Sequence, residues 1–525
     1  MNAAPEPATT DASPRAGLSR PGMVILAAGG VVFALLATLN CGGYRYGVGD
    51  QAAYIPQILR ALDGRLFPRD SALLGGQSRL FLFDKLLAAA TSVVPASLET
   101  WFLVLYLVTL ALLYTGLIRL GSRLLASGWA IAAFVLAETL RHRITRTGAN
   151  TLEGYFHPRQ LAFAIGVLGL GEILRGRPWL AIAAAALASL VHPTTGLWFV
   201  GWIGVALFVE QPRLRLALGA AAALGTVAGL TLIARGVVSL DRMDDAWLAT
   251  LASKDYLFPN QWDAGPWLAN MLYPVVIGAT FAARRARGLV RPGEAGLVAG
   301  CLALVAVFLA ALPLIAGRVA LLVQLQVSRV FWMADLLATV YLIWWLVDSP
   351  PSLLRSFGGR AGATASVAAG RRAVLVVAAL AVLATVRGVY VLRVEHPGRP
   401  LLTAGLPADP WTDVGAWLQR RTPAGTHVLA DPNHAWKFGT SLRVVAARDV
   451  FIENVKDEAM SMYDRRMAQR LAERRLALGD FDRRTPADLQ ALAGRFGLDV
   501  VIAEHELALP ELYRNAQFRV YRLTP

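Results

Sequence analysis

The run Ala295–Ala316, AGLVAGCLALVAVFLAALPLIA, holds no charged side chain. Coiled as an α-helix it is about 33 Å long, enough to cross the roughly 30 Å hydrocarbon core of a bilayer. Comparable apolar runs recur at 22–39, 100–119, 125–140, 160–174, 178–192, 195–210, 214–234, 267–283, 329–347 and 373–392. Their spacing is that of membrane spans rather than of amphipathic helices on a soluble core. Only 17% of the chain is charged and 56% is apolar, where a soluble chain carries about a quarter charged residues. The expected architecture is therefore mainly α, a polytopic membrane bundle of about eleven helices. Residues 80–95 and 318–328 are short or interrupted and read as interfacial or re-entrant pieces.

Residues 1–20 read as a cytoplasmic tail and 21–393 as the membrane module, with a long outer loop at 41–79. The first apolar run is read as an uncleaved helix, because Asn40 before Cys41 makes a poor lipoprotein signal. After the linker His396-Pro397-Gly398-Arg399-Pro400 the pattern changes, and 394–525 reads as a small α/β domain outside the membrane. Strands are expected at Thr426–Ala430, Leu442–Ala446, Leu498–Ala503 and Phe518–Leu523, and a helix at Asp488–Phe496. The acid-base run Glu458–Arg475 is expected to be a solvated helix face. Short connections such as 119–124, 175–178, 211–213, 284–294 and 348–372 all bear arginine, while the alternate loops are long and mixed in sign. That asymmetry places the N-terminus inside and the C-terminal domain outside.

The formal charge of +15 is almost wholly arginine, since there are only four lysines, Lys85, Lys254, Lys437 and Lys456. Most of it sits in short loops between spans, which points to topology and lipid phosphate and away from nucleic acid. The two cysteines, Cys41 and Cys301, imply neither a disulfide framework nor metal spacing.

The first outer loop is the richest in chemistry: Tyr44-Arg45-Tyr46-Gly47-Val48-Gly49-Asp50-Gln51-Ala52-Ala53-Tyr54, then an amphipathic segment ending in Asp63-Gly64-Arg65-Leu66-Phe67-Pro68-Arg69-Asp70. A carboxylate there lies at the depth where a lipid-linked substrate presents its head group, and can act as general base on an acceptor hydroxyl. The competing role for Asp50 is to cap the helix that starts near Ala52, and for Asp70 to open a turn.

This loop, together with Tyr155-Phe156-His157-Pro158-Arg159-Gln160 and Leu190-Val191-His192-Pro193-Thr194-Thr195, resembles the GT-C superfamily of polytopic, polyprenyl-phosphosugar-dependent glycosyltransferases. The resemblance extends to the terminal domain through Trp417-Leu418, Thr422-Pro423, Val428-Leu429-Ala430-Asp431-Pro432 and Ser441-Leu442-Arg443. It implies a GT-C-like fold in the bacterial inner membrane, a lipid-linked (polyprenyl-phosphate) sugar donor and an inverting transfer to a periplasmic glycan, lipid or protein acceptor. It carries the catalytic acid over to Asp50. Many members have two adjacent acids there, whereas Gln51 follows Asp50 here, which passes the second role to Asp70 or to another loop. A divalent ion held by Asp50 and donor phosphate is compatible with this chemistry.

Arginine suits a leaving phosphate because its bonds to oxyanions are bidentate and charge-assisted. Arg329 is a candidate clamp, or alternatively a snorkelling interfacial anchor. Arg159 is a second phosphate contact, and Arg141, His142, Arg143 and Arg146 form a further candidate phosphate clamp or, alternatively, lipid-headgroup contacts. Glu153 lies one helical turn before His157 and is placed to orient it. His192 reads either as a cap on helix-end carbonyls or as a substrate contact, and Tyr54 as a further substrate-binding residue. Asp241, Asp244, Asp245, Lys254, Asp255, Tyr256, Phe258, Trp262 and Asp263 form a third outer loop whose acids and rings suit a sugar or an ordinary interface. Trp436, Lys437, Phe438 and Arg443 either face an acceptor or pack on the membrane module. Two readings of another class stand beside the transferase: a catalytically silent GT-C-like scaffold or lipid-binding subunit, and a transporter or flippase. The flippase calls for intramembrane charge pairs and inverted repeats; Glu138 and Asp335 are the few acids at span depth, and no repeat is visible.

Overall fold

The computed structural model describes residues 20–78, 81–238, 240–349 and 363–524. Residues 1–19 of the expected tail, and Arg355 and Arg360 of the last inner loop, lie outside them.

A helix occupies each of the expected span positions. These are α1 (Arg20–Asn40), α5 (Leu98–Leu124), α6 (Gly128–Glu138), α7 (Pro158–Ile173), α8 (Pro178–Val191) and α9 (Pro193–Glu210), then α10 (Arg215–Ala234), α12 (Ala264–Ala286), α13 (Glu294–Ala316), α15 (Val330–Ile343) and α16 (Ala363–Tyr390). By length and composition, seven helices among the described residues can cross a membrane, and Val24–Asn40, α6 and α8 are apolar but shorter. Seven of the eleven expected spans are thus helices of membrane-crossing length. A proline at the first position of α7, α8 and α9 sets where each begins, and α6 ends at Glu138 with Thr139 as its C-cap.

α7 is buried along nearly its whole length and packs on α5, α8 and α9. It carries Gly116–Val167 and Gly166–Phe199 approaches too close for a larger residue. At the other extreme, no residue of α10 is buried, and Leu216, Leu224 and Leu230 face outward. A helix apolar on every side and covered by no protein requires a hydrocarbon surround.

The first outer loop holds β1 (Tyr44–Arg45), α2 (Gln51–Leu62) and α3 (Ser71–Ser78), followed by α4 (Phe83–Val93) in the expected interfacial segment. The next outer loop forms the hairpin of β2 (Arg143–Ile144) and β3 (Ala149–Asn150). The third contains α11 (Asp245–Leu251), and the 318–328 piece contains the single short helix α14 (Ala320–Leu325). β4 (Leu402–Thr403) pairs in parallel with β1, tying the linker after α16 back to the first outer loop.

The C-terminal unit is a three-layer α/β sandwich. Its sheet runs β6 (Asp449–Val450), β5 (His427–Leu429), β7 (Val500–Ala503), β9 (Arg519–Arg522), β8 (Glu511–Arg514). The β5 pairings with β6 and β7 are parallel; those of β9 with β7 and β8 are antiparallel. The alternation of a strand puts Val428, Val500, Ile502 and Val520 against α17 (Pro410–Arg421) and α19 (Leu442–Ala446). Leu429, Val501, Ala503 and Tyr521 face α21 (Arg465–Leu478) and α22 (Pro486–Phe496) instead. Between these lie the short helices α18 (His434–Lys437) and α20 (Asp457–Ser461).

Leu442–Ala446, expected as a strand, is helical. Leu442, Val445 and Ala446 share one helix face and cover the sheet, and Ala447 in the left-handed region (φ 50°) ends the turn. The neighbouring Val444 and Val445 supplied the β-like signal. The run Glu458–Arg475 is solvated on one face only, through Arg465, Arg466, Gln469 and Glu473, and its other face is buried. Glu458 is buried against Lys254, Ser253 and Arg475, and Arg470 reaches Asp70 at 2.6 Å. That helix pair is the surface on which the C-terminal unit sits on the outer loops.

A carboxylate cavity under the C-terminal unit

Three loops converge where α20 meets the membrane module. Gly49 precedes Asp50 in the left-handed region (φ 59°), and a Cβ there would sit 2.8 Å from the Tyr155 ring. Only glycine allows that close turn. Gln51 is fully buried; its Oε1 accepts the Gly47 amide at 2.6 Å and its Nε2 donates to the Phe156 carbonyl at 3.0 Å. The position where a second acid was conceivable therefore holds a strut between the two loops.

Asp50 stands at the start of α2 with helical backbone and no capping bond. The capping reading fails because its side chain points elsewhere: Oδ2 accepts from Tyr155 OH at 2.9 Å and from His157 Nε2 at 3.1 Å, while Oδ1 meets the Lys456 ammonium. Burial alone would raise the Asp50 pKa, but Lys456, His157 and Arg159 together hold it well below the usual carboxylate range.

His157 caps α7 by accepting the Arg159 amide on Nδ1 at 3.0 Å. That fixes the neutral ring with its proton on Nε2, aimed at Asp50. Burial, then the Arg159 charge, press the His157 pKa down to about 4, against the opposing pull of Asp50, so the ring is neutral at pH 7. His192 repeats the device for α9, with Nδ1 accepting from the Thr195 amide at 3.3 Å. It caps amides of the following helix rather than the expected carbonyls. The two His rings are 6.1 Å apart, and Tyr54 stands edge-on to His157 at 5.4 Å.

Asp50, Tyr54, His157, Arg159, His192 and Arg329 line one cavity with free space of about 60 Å³, room for a few waters or a small anion. Among the described residues, no acid pairs with Arg329, and its buried Nε has no hydrogen-bond partner. Arg159 pairs with Glu153 at 3.2 Å and lies over the Trp332 ring at 5.8 Å. Glu153 itself does not line the cavity. It also meets Arg141 at 3.5 Å, so it positions Arg159 and not His157 as expected. His142 turns inward to pair with Asp335, whereas Arg143 stays exposed and Arg146 pairs with Asp255 at the surface.

Asp70 departs from its expected place as second acid. It is fully buried outside the cavity, with Oδ2 accepting from Arg443 Nε at 2.8 Å and the Val450 amide at 3.1 Å. The backbone amides of Arg69 and Asp70 in turn donate to Asp449. Asp70 is thus a latch between the outer loop and the C-terminal unit, as is Arg443.

Lys456, Tyr463 and Gln326 also line the cavity and have no role assigned from the sequence, whereas Tyr256 is a candidate sugar contact of the third outer loop. Lys456 carried one usable signal, being one of four lysines in a chain that otherwise uses arginine. The His-Pro pairs at 157–158 and 192–193 carried another, a histidine N-cap before a first-turn proline. As donors for a divalent ion the residues do not fit. Asp50 is the sole carboxylate lining the cavity, both its oxygens are engaged, and no group of three ligating side chains occurs among the described residues.

No family model matches the chain, and no curated protein matches it. Solved structures do align with it. The apo oligosaccharyltransferase of Archaeoglobus fulgidus aligns over 92% of this chain and 69% of its own, at 12% identity and a TM-score of 0.46. Archaeal oligosaccharyltransferase AglB from the same organism, in complex with an inhibitory peptide and a dolichol-phosphate, aligns over 93% and 70%, at 14% identity and a TM-score of 0.38.

Proposed function

We propose that this protein is an integral-membrane glycosyltransferase that moves a sugar from a polyprenyl-phosphate carrier to an acceptor on the outer face of a bacterial inner membrane. In this reading residues 21–393 form the membrane module, the N-terminus is cytoplasmic, and 394–525 lie in the periplasm. The observation that carries it is the cavity itself: one carboxylate, Asp50, faces Arg159, Arg329 and Lys456 in a buried space. A uniformly basic pocket would bind an anion and do nothing more. A basic pocket with one oriented carboxylate supplies both halves of a phosphate-displacing transfer.

The roles follow from the geometry. Arg329, which makes no ion pair among the described residues, and Arg159, held by Glu153, attract the donor phosphate and stabilise the charge it gains on leaving. The Nε2–H of His192 offers a further donor to the same group. Asp50 is fixed through Oδ2 by Tyr155 and His157, leaving Oδ1 as the oxygen that accepts the acceptor's proton. Lys456 covers Oδ1 in this conformation, so the acceptor must displace it, and losing that ammonium makes Asp50 a stronger base at that moment.

The test is Asp50→Asn at equal expression, with glycan and lipid-carrier profiling of the host. Loss of one glycan by at least about 100-fold, with its polyprenyl-phosphate sugar accumulating, is the expected result. A profile unchanged by Asp50→Asn but altered by deletion would favour the silent scaffold. A profile altered by neither would remove the transferase reading.

A further inference from the structure

A second opening lies on the other side of the Gly49–Asp50 turn. Gly47 and Gly49 form its floor, Arg45 and Arg399 one wall, and Trp436 and Ser441 of the C-terminal unit the other, around about 320 Å³. That is the lower end of the range for small-molecule sites. The β1–β4 pairing, with Arg45 opposite Thr403, brings Arg45 beside the linker that bears Arg399. Both guanidiniums are half-buried. Among the described residues neither has an ion-pair partner, and no acid lines the cleft. Arg399 makes only a long bond to the Gly42 carbonyl, 3.5 Å. Burial and then the Arg399 charge lower the Arg45 pKa to about 10. Two adjacent, partly desolvated cations without a counterion are an incomplete arrangement, and an oxyanion completes it through bidentate bonds.

The second wall says what carries the oxyanion. Trp436 is 59% exposed although it belongs to a folded unit, whereas its neighbour Lys437 turns away to pair with Asp431. A free indole face beside two guanidiniums provides a stacking surface for a sugar ring and clamps for a charged substituent. We propose that this cleft binds an anionic saccharide, a sugar bearing a phosphate or carboxylate held by Arg45 and Arg399 with its ring on Trp436. That the saccharide is the acceptor rests on the transferase reading above; that the cleft binds it does not. The same oxyanion could be offered by a lipid headgroup, since the linker leaves the membrane at α16.

The experiment is calorimetric titration of the full-length protein in neutral-lipid nanodiscs with glucuronic acid, glucose 6-phosphate and glucose. Both anionic sugars are expected to bind, with glucose at least about 10-fold weaker. Arg45→Gln and Arg399→Gln should each weaken the anionic sugars about 10-fold, and Trp436→Ala should weaken them too. If Arg45→Gln melts early, Arg399→Gln in the linker carries the same test. Asp50→Asn should keep this binding while losing transfer, so failure of the transferase reading and failure of this one are distinguishable. Repeating the titration with phosphatidylglycerol in the discs separates the sources. Undiminished binding supports a soluble saccharide; competition that removes it assigns the oxyanion to the lipid headgroup and overturns the saccharide. Equal binding of glucose, no binding of either anion, or wild-type binding by a folded Arg45→Gln/Arg399→Gln protein would also overturn it.

Discussion

Asp70→Asn separates a structural carboxylate from a catalytic one. In the native protein Asp70 accepts from Arg443 Nε at 2.8 Å, from Arg470 Nη2 at 2.6 Å and from the Val450 amide at 3.1 Å. Each charge-assisted bond contributes about 1.5–3 kcal/mol, and removing one partner of a buried pair costs about 3–5 kcal/mol. The lower end applies, because Arg443 keeps Asp457 at 2.6 Å and Glu453 at 3.9 Å. About 3 kcal/mol in a unit of this size corresponds to a melting temperature lower by roughly 10 °C. The assay is thermal unfolding in nanodiscs followed by tryptophan fluorescence, since Trp411, Trp417 and Trp436 all report on that unit. Transfer should persist at low temperature, where the unit remains docked, in contrast to Asp50→Asn. Abolished transfer with a melting temperature within about 2 °C of wild type, well inside the expected shift, would return Asp70 to the catalytic role and refute the latch.

Three further outcomes follow from the same geometry. Arg329→Gln should lower kcat/KM for the lipid-linked donor by about 10²-fold without lowering the melting temperature, because among the described residues that guanidinium makes no ion pair to lose; the opposite split would make it an anchor. Gly49→Ala must adopt φ near +59° with its Cβ against Tyr155, a strain of about 1–3 kcal/mol, so transfer and stability should fall together, and an unaffected variant would discount the turn. Asp449 is raised to about 6 by burial and by Asp70; the folded state therefore takes up this proton before the unfolded state, and the group's contribution to stability increases as pH falls from about 6 toward 4. Melting curves across that range should show this component in wild type and lack it in Asp449→Asn.

The membrane character, the order of the helices and the start of α7, α8 and α9 were all readable from the chain. Apolar run length and a proline after a capping residue are local properties, and local properties survive in sequence. The same holds for the strands at 427–429 and 500–503 and the helix ending at Phe496. Leu442–Ala446 was misread because its choice between strand and helix was made by the sheet it covers and by the Arg443–Asp70 bond, neither of which is local. Most span bounds are legible to within a few residues; α5, expected at 100–119, runs longer, over Leu98–Leu124.

For the site, the sequence by itself determined which residue types were available: an isolated Asp50 in an outer loop, His157 and His192 before prolines, and unmatched arginines at span ends. Tertiary structure alone decided which of them meet. It turned Asp50 away from its helix and toward Tyr155 and His157, brought Lys456 across 406 positions to the same carboxylate, and took Asp70 out of the cavity into a latch. The physical reason is that a carboxylate's role is set by the charges and donors within a few ångströms of it, and here those neighbours come from distant parts of the chain.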